Sequence, residues 1–163
     1  MPGSLEVLNM SDIAYLKNPP SFVSTQIVAQ SIPTGAWTSV TLTATGSQAY
    51  DNYGGHSNST NTSRYVAQVA GWYTVSGVVA FAANGTGERG ARLAVNGSSV
   101  SGAAELIAAL STNATAIATP TRDIPLAIGD FVEVQGWQTS GGALNTAVFS
   151  DLASALWVKF SHF

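Results

Sequence analysis

The chain has 163 residues, no cysteine, six Lys and Arg against nine Asp and Glu, and a formal net charge of −3. So few basic residues cannot neutralise many phosphates, which speaks against a nucleic-acid partner, and the lack of thiols rules out disulfides, thiol catalysis and thiolate metal sites. Charged residues are 9% of the chain, against about 25% in an average domain, so its surface is built of neutral polar groups, or partly buried against copies of itself, or both.

The first 20 residues, MPGSLEVLNMSDIAYLKNPP, lack the basic start and hydrophobic stretch of a secretory signal. Nowhere does an apolar run approach the ~18 residues of a membrane-spanning helix, so no membrane insertion is expected. Ser11 to Lys17 predicts a turn or two of helix, with Ser11 as N-cap and Asn18-Pro19-Pro20 stopping it. Leu5, Val7, Leu8, Ile13, Tyr15 and Leu16 make this segment too apolar for an idle tail. It reads either as packing back on its own domain or, the favoured reading, as a docking arm over residues 1–20.

From residue 21 to 163 the pattern is one of short strands broken by Gly, Asn, Ser and Pro clusters. Expected strands are 23–29, 37–43, 64–70, 72–83, 89–95, 105–109, 114–118, 130–138 and 155–160. The Ala-rich stretch 103–118 competes as a helix. Asn84-Gly85 and Asn96-Gly97 suit tight hairpin turns, because both residue types tolerate positive φ. Many short strands of this kind argue for a sandwich or barrel.

The stretch Trp72–Ala83 has two apolar faces. Tyr73, Val75, Gly77, Val79 and Phe81 alternate onto one face, as a sandwich core requires. Trp72, Thr74, Ser76, Val78, Ala80 and Ala82 carry no charge on the other. An outward face of that kind is sticky on a monomer and reasonable in an oligomer. Trp157 and Lys159 alternate outward in the same way from Leu156, Val158 and Phe160.

The ordered series "RYVAQVAGWYTVSGVVAF", "RLAVNGSSV" and "IPLAIGDFVEVQGWQ" resembles the complement/tumour-necrosis-factor-type jelly roll. Gly71, Tyr73 and Val75 match its Gly-x-Tyr-x-Val. Leu93, Val95, Asn96 and Gly97 match its Leu-x-Val-Asn-Gly, and Leu126, Gly129, Asp130, Val132 and Val134 match its Leu-x-x-Gly-Asp-x-Val-x-Val. The resemblance implies an all-β, two-sheet sandwich of about ten antiparallel strands that forms a homotrimer around a threefold axis. The trimer interface would then include Val78, Ala80, Ala82, Arg92 and Trp157.

The wording "GGHSNSTNTSRYVAQVAGWY" and "GTGERGARLAVNG" resembles jelly rolls on tailed-bacteriophage virions. This implies a structural protein at the virion surface, a capsid decoration or head fibre docking through residues 1–20 onto other virion proteins such as the major capsid protein. A chain that opens on its own Met1, with no long shaft, fits a small separate virion protein. The alternative is a tail-associated module that binds host glycan.

Candidate chemistry is sparse. His56 lies near Asp51, Ser57 and Ser59, but in a Gly/Asn/Ser loop with no nucleophile elbow, so a polar loop is preferred to a triad. Glu88, Glu105 and Glu133 with Asp130 have no spacing that predicts a shared cleft for glycoside hydrolysis. No enzyme activity, cofactor or metal site is expected, and Asp51-Asn52 reads as an Asx turn before it reads as a calcium site. Glu88, Arg89 and Arg92 form either a surface ion pair or an inter-subunit cluster, and both readings stand. Tyr50, Tyr53 and Trp137, beside loops, are the candidate ligand surface.

Overall fold

The computed structural model describes residues 17–110, 112–149 and 151–163. The apolar arm residues Leu5 to Leu16, and most of the helix expected at 11–17, lie outside them. Thirteen strands occur among the described residues: β1 (Ser21–Thr25), β2 (Ser31–Ile32), β3 (Thr38–Ser39), β4 (Ala49–Asp51), β5 (Arg64–Val66), β6 (Gly71–Phe81), β7 (Glu88–Val95), β8 (Ser98–Ala108), β9 (Thr115–Ala118), β10 (Arg122–Leu126), β11 (Phe131–Gln138), β12 (Leu144–Asn145) and β13 (Ala155–His162). The pairs are antiparallel and build a jelly-roll sandwich.

The first sheet has the order β10-β6-β13-β1-β4, with β9 also pairing β6. The second runs β3-β11-β7-β8, with β5 also pairing β11. A two-stranded β2–β12 ribbon joins them. The length of β6 has a plain cause: β10 pairs its first half, from Gly71 to Val75, and β9 its second, from Val78 to Phe81.

Alternation sends Tyr73, Val75, Val79 and Phe81 of β6 inward, with Leu156, Val158 and Phe160 of β13 and Phe22 of β1. They meet Leu93 of β7, Val132 and Val134 of β11 and Tyr65 of β5, all buried. The sheets come closest where Gly77 faces Val134: a Cβ on Gly77 would stand 2.7 Å from Val134 Cγ2. Two rings on one side of this core stack, Phe22 on Tyr65 at 5.1 Å.

The second Asn-Gly pair forms the expected turn. Asn96 and Gly97, at φ 51° and 78°, connect β7 to β8 directly. The first does not, because β6 and β7 belong to different sheets and the chain must cross between them. In the Ala-rich stretch 103–118, residues 103–108 and 115–118 are strand, not helix, since β8 pairs β7 and β9 pairs β6. β10 escapes a pattern reading because Pro125 interrupts it. Proline is tolerated there because β10 pairs with β6 alone, as an edge strand.

Two of the resembling motifs meet in space. Asn96 Nδ2 donates to Asp130 Oδ1 at 2.8 Å, and the Ala127 amide donates to Asp130 Oδ2 at 2.8 Å. In return Asn96 Oδ1 accepts from the Phe131 amide at 2.9 Å. Hydrogen bonding from Asn96, then from Ala127, holds the Asp130 carboxyl below the usual carboxylate range. Asp130 thus ties the β7–β8 turn to the start of β11.

Candidate functional site: the outward face of the first sheet

Cross-strand pairs share a face, so the register gives the outward face of the first sheet row by row. One row sets Ser76, Trp157, Val23 and Tyr50 side by side across β6, β13, β1 and β4. The next sets Thr74, Lys159 and Ser21, with Asp123 beside Thr74. On the other side lie Val78, Ala155 and Thr25, flanked by Ala118. Trp72, at the end of β6, stacks on His162 at 5.8 Å.

Tyr50 is 52%, Trp157 42% and Trp72 39% exposed. Ala116 and Ala118 are exposed and Val78 half-buried. The charged side chains in these rows are Lys159 and Asp123, and Asp123 already accepts from the Thr74 hydroxyl at 2.6 Å. At the β9 end the face deepens into a groove of about 450 Å³ walled by Ile27, Val78, Phe149, Leu152 and Trp157. Ile27 and Phe149 are themselves 45% and 60% exposed. Thr25, Gln26, Gln48 and Asp151 also line the groove, so the face is a mixed surface in which the aromatic and aliphatic side chains are interleaved with neutral polar groups and a few charges.

The five residues expected at a trimer interface do not sit together. Val78 and Trp157 share this face. Ala80 is fully buried: its amide donates to Ser154 Oγ at 3.1 Å and its carbonyl accepts from the Ala147 amide. Ala147 and Ser154 therefore close on Ala80 within one chain, and it is not offered to another copy. Ala82 is half-buried and packs against the core. Arg92 lies on the second sheet, its guanidinium 4.4 Å over the Trp37 ring and its Nε donating to Gln135 Oε1 at 2.8 Å. Alternation along one strand could not show that the chain folds back over Ala80, nor which sheet β7 joins.

The Glu88–Arg89–Arg92 cluster also disperses. Arg89 is fully buried and donates to the carbonyls of Asn84, Thr86 and Glu88 at 2.7 to 2.9 Å. Burial lowers its pKa. It braces the β6–β7 crossing, and makes no ion pair among the described residues. The ion pair found among them is Arg64 Nε with Glu133 Oε1, at 3.7 Å.

The proposed ligand surface does not converge either. Tyr50 belongs to the first sheet's face. Tyr53 donates its hydroxyl to the Asn18 carbonyl at 3.0 Å. Trp137 is half-buried on the second sheet, stacked on Trp37 at 6.0 Å.

The His56 loop is held by its own hydrogen bonds. Asp51 accepts from the backbone amides of Tyr53, Gly54 and His56, as an Asx-type turn does. The His56 ring nitrogens face the carbonyls of Arg64 at 2.7 Å and Leu42 at 2.9 Å, so no serine is within the ring's bonding pattern. Asn52 is spent on Ser21, Asn18 and Pro19. Among the described residues no cluster of three His, Asp or Glu side chains could hold a metal ion.

No protein-family model and no curated protein matches the chain. Among solved structures, it is similar to murine APRIL in crystal structures at pH 8.5 and pH 5.0. Identity is 13% in both, the matches cover 86% of this chain and 98% of the other, and the TM-scores are 0.60 and 0.61. At that identity the likeness shows the fold alone, a jelly roll of the tumour-necrosis-factor type.

Proposed function

We propose that this protein is a non-catalytic structural module that assembles as a homotrimer through the outward face of its first sheet. The observation that carries the reading is the row of Tyr50, Val23, Trp157 and Ser76, in which Tyr50 and Trp157 are exposed, next to the Val78–Phe149 groove. Leaving such a surface in water costs roughly 25 cal/mol for each Å² of apolar area, and a second and third copy of the same chain would remove that cost. The setting proposed is the surface of a bacteriophage particle, with residues 1–20 as the anchor. Support for that setting is the wording of residues 54–73 and 85–97, and support for trimerisation is the face.

The test is light scattering on the full chain after size exclusion. A species of about 50 kDa, three times the 16.8 kDa chain, is expected. A stable monomer at micromolar concentration overturns the assembly reading. The anchoring reading is tested by sedimentation with purified virions: the full chain should pellet with them, and a chain lacking residues 1–16 should not.

A further inference from the structure

The loop between β4 and β5 and the strand β5 itself line a second, open cavity of about 330 Å³, which shares no lining residue with the Val78 groove. Gly54, Ser57, Thr60, Asn61, Arg64 and Gln68 line it. Its volume is at the small end of the roughly 300–1,000 Å³ usual for small-molecule sites, with room for a single sugar-sized ring.

Arg64 is fixed on two sides. Its guanidinium carbon lies 4.0 Å over the Phe131 ring, and its buried Nε faces Glu133 at 3.7 Å, too far for a hydrogen bond. Glu133 is 4% exposed and already accepts from the hydroxyls of Ser63 at 2.7 Å and Ser39 at 3.0 Å. Among the described residues the two terminal nitrogens of Arg64 have no hydrogen-bond partner. Arg64 is one of the residues lining the cavity, and with Nε buried its terminal nitrogens are its remaining donors.

From this geometry we infer that the cavity binds a carboxylate-bearing sugar of the uronic acid class. A planar carboxylate matches the two parallel N–H groups of a guanidinium fork. With Glu133 beside it, Arg64 has little charge to spare, so a dianion such as phosphate is disfavoured more than a single carboxylate. The other ionisable lining group, His56, has its ring nitrogens turned to the carbonyls of Arg64 and Leu42. Thr60, Asn61 and Gln68 are exposed at the rim and supply hydroxyl and amide groups for sugar hydroxyls. This inference does not rest on assembly, because its residues lie off the first sheet's outward face.

The test is an NMR titration of the full chain with D-glucuronate, D-glucose and acetate at matched ionic strength. Glucuronate should shift the amides of Gly54, Thr60 and Gln68 saturably, and glucose and acetate should bind at least about tenfold more weakly. Arg64→Lys keeps a cation beside Glu133 but loses the fork, and should weaken glucuronate by about tenfold or more. Asn61→Gly suits the left-handed backbone at φ 52° and leaves the Arg64–Glu133 pair untouched; it should weaken binding by about threefold, and it stands in if the lysine variant is unstable. Glucose or acetate binding as tightly as glucuronate, or both variants binding as tightly as the parent, overturns the site.

Discussion

Along β11, Phe131, Glu133, Gln135 and Trp137 point away from the core, and each has a partner. Arg64 lies over Phe131, Ser39 and Ser63 donate to Glu133, Arg92 donates to Gln135, and Trp37 stacks on Trp137. Along β13 and β6 the outward positions are Trp157, Lys159, Thr74, Ser76 and Val78, and Trp157 stays 42% exposed. Both faces carry aromatic side chains in a chain poor in charge. On the second sheet side chains on or next to the neighbouring strands β3, β5 and β7 complete the row within one chain. Over the middle of the first sheet, among the described residues, nothing does so. A finished face contributes to the stability of the monomer, whereas an unfinished one contributes only if another surface covers it, as in the proposed assembly.

The strongest way to break the contrast is Trp157→Glu. It places a charge in the centre of the first face in every copy, and the scattering mass should fall from about 50 kDa to 16.8 kDa while the monomer keeps its fold. Gly77→Val comes next, because its side chain would run into Val134 between the two sheets. A cost of about 3 kcal/mol is expected in a denaturant melt, and it should appear in monomer and trimer alike.

Glu133→Leu tests the second face. The Ser39 and Ser63 hydroxyls would lose their acceptor and Arg64 its ion pair, for about 2 kcal/mol. Ser76→Val on the first face should change monomer stability by under about 0.5 kcal/mol, and equal costs at the two positions would erase the contrast. Tyr65→Phe removes a buried hydroxyl with no partner among the described residues, and should raise stability by up to about 1 kcal/mol.

The smallest effect is at Asp130. Its folded pKa is lowered, so its contribution is present above the unfolded value and is lost as pH falls through the folded one. Parent and Asp130→Asn should therefore converge in stability as the pH drops through the acid range, and their difference should be largest near neutrality.

Much of the fold was legible in the residues. Alternation from Tyr73 to Phe81 named the inward set correctly, and the Asn96-Gly97 turn lies where its motif puts it. β10 was missed at Pro125, and the two-residue strands β2, β3 and β12 are too short to have a period. Sites were harder. Arg89 in a surface-like string "NGTGERGAR" is fully buried, because three backbone carbonyls replace the water it loses. Arg64 and Glu133 are 69 positions apart, and no local pattern could join them. They meet because β5 pairs β11 in a register that sets Arg64 opposite Glu133.

By itself the sequence determined the all-β class, the inward side of β6 and β13 and the Asn96-Gly97 turn, since these depend on near neighbours and on the two-residue repeat of a strand. The tertiary structure alone decided which outward side chains are covered. It put β6 and β7 in different sheets, closed Ala147 and Ser154 on Ala80 and left Trp157 partly exposed. Burial on the outer side of a sheet depends on what another part of the chain lays across it, and the period of a strand carries no record of that.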